Sequence, residues 1–326
     1  MRVLVLGSGA KDHAIAWWFS QSRLINGLFV APGNVGTQSI ATNLAIDPSD
    51  PKQVYEACTA HGIDFVFVGT ETPLFTGVID YLNERGIDTF GSPSRALKLE
   101  GDRNFSRMFT DRHNIPTPTH VLFDDEHKLS EYLKRHEGER FVVKSNAIAP
   151  SRVMIDSSDY HSLMEFSKNI MATSPIILEE HLNGLPITVT LFLDNKGYLA
   201  LPTCSDYMKS EEGGLPTGGM GSICPVPLQE EVSQALVDTI IEPTLFGLKA
   251  ERMSYKGVLT ISVIITKRGP ILVDYHVRFN DPAAQAFVPL IKTDIVDILN
   301  AMKHDTLSSI TLEASTKSTV ALVVAS

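Results

Sequence analysis

Residues 1–13, Met1-Arg2-Val3-Leu4-Val5-Leu6-Gly7-Ser8-Gly9-Ala10-Lys11-Asp12-His13, pass from an apolar β-rich run through a glycine turn into a helix-like stretch. A strand that ends in glycine and opens a helix is the first half of a βαβ unit, and glycine there lets backbone amides approach an anion at the helix N-terminus. Similar β-rich runs follow at 28–31 and 65–68, alternating with helix-like stretches at 14–19, 51–60 and 73–84. Such alternation predicts an α/β fold with a parallel sheet. Ligands on that architecture gather at the carboxyl ends of the strands, where Gly7-Ser8-Gly9, Pro32-Gly33-Asn34 and Gly69-Thr70-Glu71 stand. Three loops are therefore expected around one crevice. A dinucleotide fingerprint would need glycine at position 12, which is Asp12, so a single phosphate suits this turn better than NAD. An empty structural turn fits Gly-x-Gly equally well, and His13 and Glu71 read as polar caps or ribose contacts before acid-base groups.

Beyond residue 102 the pattern shortens and becomes antiparallel in character. Strands are expected at 141–144, 176–179 and 186–193, with helices at 129–135 and 160–170 between them, as in a small α+β lid. A Gly-rich loop at 217–221, an amphipathic helix over about 230–248, strands at 257–266 and 271–275, and a final strand at 320–324 complete the chain. The expected organisation is an N-terminal parallel module over 1–102 and a second module over 103–326, whose lid spans about 117–187 and whose core spans 188–326.

With 326 residues, 43% of them hydrophobic, the chain can bury a sizeable core. Its net charge of -10 and the lack of a basic run argue against a nucleic-acid surface. No apolar stretch suits a signal peptide or a membrane span, and Cys58, Cys204 and Cys224 show neither metal nor disulfide spacing. A cytoplasmic protein acting on small molecules, with no membrane partner, is the expectation; its oligomeric state is not legible.

The openings 1–14 and 30–37, the segment Val68-Gly69-Thr70-Glu71-Thr72-Pro73-Leu74, and Phe90-Gly91, Leu99-Glu100-Gly101 and Ile115-Pro116-Thr117 occur in an order that resembles phosphoribosylamine–glycine ligases. Thr217-Gly218-Gly219-Met220-Gly221 and Arg278-Phe279-Asn280-Asp281-Pro282 continue the likeness. That family belongs to the ATP-grasp ligases. The resemblance implies a parallel-sheet N-domain, a mobile lid, and a core that grips ATP between antiparallel sheets. It implies a reaction in which ATP phosphorylates a carboxylate and an amine displaces the phosphate.

By resemblance, Arg103, Lys144 and Arg152 are the triphosphate cations, with arginine at two lysine positions, a planar fork for a compact ammonium. Glu179, Glu180 and Leu182 match the hinge that receives adenine. Asp274 and His276 stand where the family has its Mg2+ or Mn2+ ligands, two apart on one strand face; for His276 the plainer reading, a hydrogen-bonded strand residue, is slightly favoured. Arg278, Asp281, Gly219 and Gly221 match the reacting centre. Gly9, Lys11, His13, Gly33, Asn34, Glu71 and Asp206 match substrate contacts. The lid loop 145–153 contains no glycine and includes Pro150, and Leu185 and Pro186 follow the hinge where the family carries acids. The chain stops about where the family begins a last domain. Three readings stand: the ligase itself, a paralogue retuned to another amide, and a binding protein that no longer turns over ATP.

Overall fold

A computed structural model describes residues 1–91, 95–147, 154–209 and 217–324. Its first sheet holds β1 (Arg2–Gly7), β2 (Gly27–Pro32), β3 (Thr42–Asn43), β4 (Phe65–Val68) and β5 (Asp88–Phe90), all parallel, in the order β3-β2-β1-β4-β5. This is the sheet that the alternation predicts. Both faces are covered, so β1 is apolar at every interior position: Leu4 and Leu6 pack with Val66 and Leu82, whereas Val3 and Val5 pack with Ile15 and Phe19 of the helix Ala10–Ser20. The helix expected over 73–84 is two, Glu71–Phe75 and Val78–Asn83, because Gly77 turns the chain through a left-handed conformation, φ 79°.

The lid sheet is antiparallel, β6 (His120–Phe123), β7 (Phe141–Ser145), β8 (Met154–Ser157) and β9 (Ile176–Glu180), ordered β6-β9-β7-β8. Helices Glu126–Arg135 and Tyr160–Met171 bring Leu129, Leu133 and Leu163 onto Phe141, Val143 and Leu178, a core of its own. Asp125 and Asp159 cap the two helices by accepting from Lys128 N and Ser162 N.

The remaining strands are β10 (Leu185–Leu193), β11 (Tyr198–Ala200), β12 (Ser205–Tyr207), β13 (Gly221–Cys224), β14 (Gly257–Thr266), β15 (Gly269–His276) and β16 (Thr319–Leu322). They form an antiparallel sheet β11-β10-β14-β15 and a smaller one β12-β13-β16. The long helix expected near 230–248 appears as Glu230–Leu236 and Glu242–Ala250 around a π-helical turn Val237–Ile241. Pro243 explains the interruption, since it has no N–H to continue the regular ladder.

One aromatic seam joins the parallel sheet to this second half. Phe67 stacks on Phe90 at 4.6 Å and on Phe279 at 5.8 Å, while Phe192 of β10 meets Phe90 at 5.6 Å and Phe279 at 5.7 Å, edge to face. All four rings are buried. Anchored there, Phe279 fixes its neighbour Arg278 at the mouth of the parallel sheet.

Candidate active site

A cleft of about 1050 Å³ opens between the lid and the antiparallel core, lined by Met154 and Phe166 from the lid and by Ile187, Val263 and Asp274 from the core. Arg103 begins the helix Arg103–Arg112, capped by Asp102, and its backbone and side chain are tied to the end of β7: N to Asn146 O at 3.1 Å and Nη1 to Ser145 O at 2.6 Å. Lys144, one residue before that point, is buried. Its Nζ lies 2.8 Å from Glu179 Oε2 on β9 and 3.0 Å from Asp274 Oδ2 on β15. Arg107, one helical turn beyond Arg103, donates to Glu179 from Nε at 2.9 Å and also from Nη2. Arg103 Nε stands 3.6 Å from Asp274 Oδ1.

Three cations thus surround two carboxylates, leaving one positive charge in excess. Burial alone would raise the pKa of Glu179, but Arg107 and Lys144 outweigh it and hold the carboxyl below its ordinary range. For Asp274 burial is likewise overcome, by Lys144 first and then Arg103 and Arg107, and that carboxyl is held far below the usual range. The hinge acid Glu179 is therefore turned inward as the anchor of the cations. Glu180 points elsewhere, accepting from Thr119 N at 3.0 Å and Arg268 at 2.9 Å, and Leu182 is half-buried just past β9. Arg152 lies outside the described residues.

Two residues from Asp274, His276 shares Glu100 with Arg278: Glu100 Oε1 is 3.3 Å from His276 Nδ1 and 3.3 Å from Arg278 Nη2, while Oε2 accepts from Val277 N at 2.8 Å. The other ring nitrogen of His276 meets Ser262 Oγ at 3.1 Å. Arg278 also pairs with Glu71 and donates to Phe279 O at 3.1 Å. Sequence reasoning missed Arg107 and gave Glu100 no role. The i, i+4 spacing of Arg103 and Arg107 on an amphipathic helix was the available signal for the first.

On the parallel sheet the three loops do meet. Gly33 N donates to Gly7 O at 3.1 Å, and Asn34 Nδ2 to Ser8 O at 2.9 Å. The amide of Gly9 is taken by Asp12 Oδ2 at 2.9 Å, and a Cβ on Gly7 would stand 2.2 Å from the Asp12 carboxylate, so Gly7 is required by that cap. His13 is half-buried with its ring against Gly36. A second cavity of about 360 Å³ is lined here by Gly9, Lys11, Asp12, Thr70 and Asp281. Burial raises the pKa of Asp12; for Lys11, burial first and the Arg278 charge second lower it to about 8.

The glycine loop closes the far side. Thr217 N donates to Met208 O at 2.6 Å and Met220 N to Tyr207 O at 2.7 Å, and Gly221 opens β13. Gly219 has φ 126°, and a Cβ there would meet Asp281 O at 2.7 Å, so the loop is seated directly on the Asp281 backbone. Asp281 itself is exposed and accepts from Gln285 at 2.7 Å. Asp206 on β12 accepts from Thr188 Oγ1 at 2.6 Å, and burial raises its pKa.

Among the described residues, two guanidinium nitrogens of the cleft lining, Arg103 Nε and Arg278 Nε, are buried without a hydrogen-bond acceptor. Buried polar atoms rarely stay unsatisfied, so two such donors in one cleft point to a polar ligand that accepts hydrogen bonds.

Residues 1–100 match the phosphoribosylglycinamide synthetase N domain, and residues 101–284 match the ATP-grasp (A) domain of the same enzyme. The chain belongs to the phosphoribosylglycinamide synthetase family. Members are ATP-grasp ligases that form a C–N bond. The phosphoribosylamine–glycine ligase of Clostridium acetobutylicum is 31% identical over 96% of this chain and 77% of its own length. That of Agrobacterium fabrum is 33% identical over 100% of this chain and 79% of its own. The crystal structure of the Thermotoga maritima phosphoribosylamine–glycine ligase superposes with a TM-score of 0.80 at 23% identity, covering 99% of this chain and 80% of that one, and shows the same fold. No helix among the described residues is long and apolar enough to cross a membrane.

ATP-grasp ligases use ATP with a divalent metal, and the two fit this synthetase-family chain differently. A cleft of about 1050 Å³, with unsatisfied guanidinium nitrogens on Arg103 and Arg278, suits a nucleotide. The metal position does not form a cage in this arrangement. Asp274 already receives Lys144 and Arg103, His276 is held by Glu100 and Ser262, and no group of three His, Cys, Asp or Glu that could hold a metal occurs among the described residues.

Proposed function

We propose that this chain is an ATP-dependent ligase that joins the carboxylate of glycine, or of a similar small amino acid, to a phosphorylated amine such as phosphoribosylamine. The Arg103 and Arg278 Nε donors left without an acceptor in one cleft carry this reading, with family membership behind it. Residues 1–102 would hold the amine's phosphate and 103–326 the nucleotide, in the cytoplasm, where ATP and free thiols such as Cys58, Cys204 and Cys224 coexist.

A carboxylate resists nitrogen nucleophiles because its carbon carries little positive charge. Phosphorylation supplies a leaving group, and the residues must neutralise the charge that moves with it. Arg103, with Lys144 behind it and Arg152 from the lid loop, is assigned to the triphosphate, and the backbone around Glu180 and Leu182 to the adenine. Arg278 offers a rigid fork that orients the carboxylate and then the acyl phosphate. Gly219 and Gly221 hold their loop close to that group, and Asp281 and Asp206 attract the amino group of the amino acid. Gly9, Lys11, His13, Gly33, Asn34 and Glu71 surround the amine's end of the site. No step is drawn through Asp274 and His276, whose polar atoms are already engaged.

Release of ADP tests the reading. It should require phosphoribosylamine and glycine together, and Arg278→Ala should lower it by ~10²-fold or more. ADP release indifferent to both substrates would overturn the proposal.

A further inference from the structure

Among the described residues, Lys11 and Asp281 are the two that line both the cleft and the smaller crevice, so they stand at the boundary between them. On the ligase reading, on which this inference rests, the activated carboxylate lies in the cleft and the amine in the crevice. The nucleophilic nitrogen must then meet the carboxylate at that boundary. We propose that Lys11 touches this nitrogen and accepts the proton it loses when it attacks the acyl phosphate.

The surroundings of Lys11 suit a base better than a fixed cation. Only 6% of the residue is exposed. Asp12 neighbours it on its own helix, Arg278 and Asp281 face it from the segment after β15, and Glu71 from the helix Glu71–Phe75. Burial and Arg278 favour the neutral amine, while the three carboxylates favour the ammonium. The balance lies at about 8, so roughly a tenth of the amine is free at pH 7. A pKa near the working pH is what proton transfer from an amine requires. Of the neighbouring acids, Asp12 uses one carboxylate oxygen to cap Gly9 N, and Asp281 accepts from Gln285 through Oδ1.

The step balances. A nitrogen–carbon bond forms, the carbon–oxygen bond to phosphate breaks, phosphate leaves with the electron pair, and the proton of the nitrogen passes to Lys11 Nζ and later to water.

Hydroxylamine separates this step from activation, because it is neutral at pH 7 and attacks acyl phosphates without a base. With ATP and glycine, glycine hydroxamate reports activation, and with phosphoribosylamine the amide reports the complete reaction. The ratio of amide to hydroxamate should fall ~10²-fold or more in both Lys11→Met and Lys11→Arg, since a guanidinium keeps the charge and cannot take a proton. In the unaltered protein, amide formation should rise with pH and level off above about 8, a limb that the hydroxamate reaction lacks. An unchanged ratio in Lys11→Arg would overturn the role of Lys11 alone. Failure of the unaltered protein to form hydroxamate would overturn the ligase reading and this step with it.

Discussion

Replacing Glu179 with glutamine keeps its shape and removes one charge from the most buried ion cluster among the described residues. Arg107 and Lys144 each have 2% of their side chains exposed, and Glu179 is the carboxylate they share. Asp274, with 21% exposed, is left to face three cations alone. Removing one partner of a buried pair destabilises by about 3–5 kcal/mol, because the remaining charges stay desolvated. Glu179→Gln should lose that much stability in urea denaturation at pH 7. Glu180→Gln, one residue away but on a half-exposed pair with Arg268, should lose less than about 1 kcal/mol. The folded-state pKa of Glu179 lies below its ordinary value of 4.5, so its contribution is present above that pH and fades as the pH falls. The gap between wild type and Glu179→Gln should therefore narrow on acidification. A variant within about 1 kcal/mol of wild type at pH 7, or a gap that widens in acid, would refute the view that Glu179 anchors the cations.

Gly219→Ala forces a side chain at φ 126° onto the Asp281 carbonyl, and a displacement of about 1 Å at the reacting centre can lower turnover by ~10²-fold; Gly218→Ala, with nothing within 4 Å, should be near neutral in the same steady-state assay. Lys11→Met removes a buried ammonium whose folded pKa, about 8, lies below its ordinary 10.5. That charge destabilises the fold fully below pH 8 and ceases to by about 10.5, so the variant should be more stable than wild type by up to ~3 kcal/mol at pH 7, with the gain shrinking as pH rises. Manganese titrated without nucleotide and followed by electron paramagnetic resonance should show no tight site, because Asp274 and His276 are already engaged; a bound ion in the absence of nucleotide would contradict the geometry.

Much of the fold was legible because its signals are local. Val3 to Leu6, Phe65 to Val68 and Gly257 to Thr266 are dense apolar runs between turn residues, and each is a strand. The strands β6, β12 and β13 gave weaker signals, being short and interleaved with exposed positions such as Leu122, Tyr207 and Ile223. In the site, the ordered motifs name the residues but not their pairings. No spacing rule reveals that Glu179 turns inward to Arg107, or that Arg278 bridges Glu71 and Glu100, since each pair is set by strands and helices distant in sequence. The comparisons favour the ligase among the three readings. Neither a retuned paralogue nor a binding protein without turnover gains support from them.

The central claim is that the carboxylate is activated by phosphorylation in this cleft. Glycine labelled with oxygen-18 in its carboxylate tests it directly, with the phosphate released alongside ADP analysed by mass spectrometry. One labelled oxygen per turnover should appear in the phosphate. Unlabelled phosphate released at the same rate as ADP would mean that water, and not the carboxylate, attacks ATP.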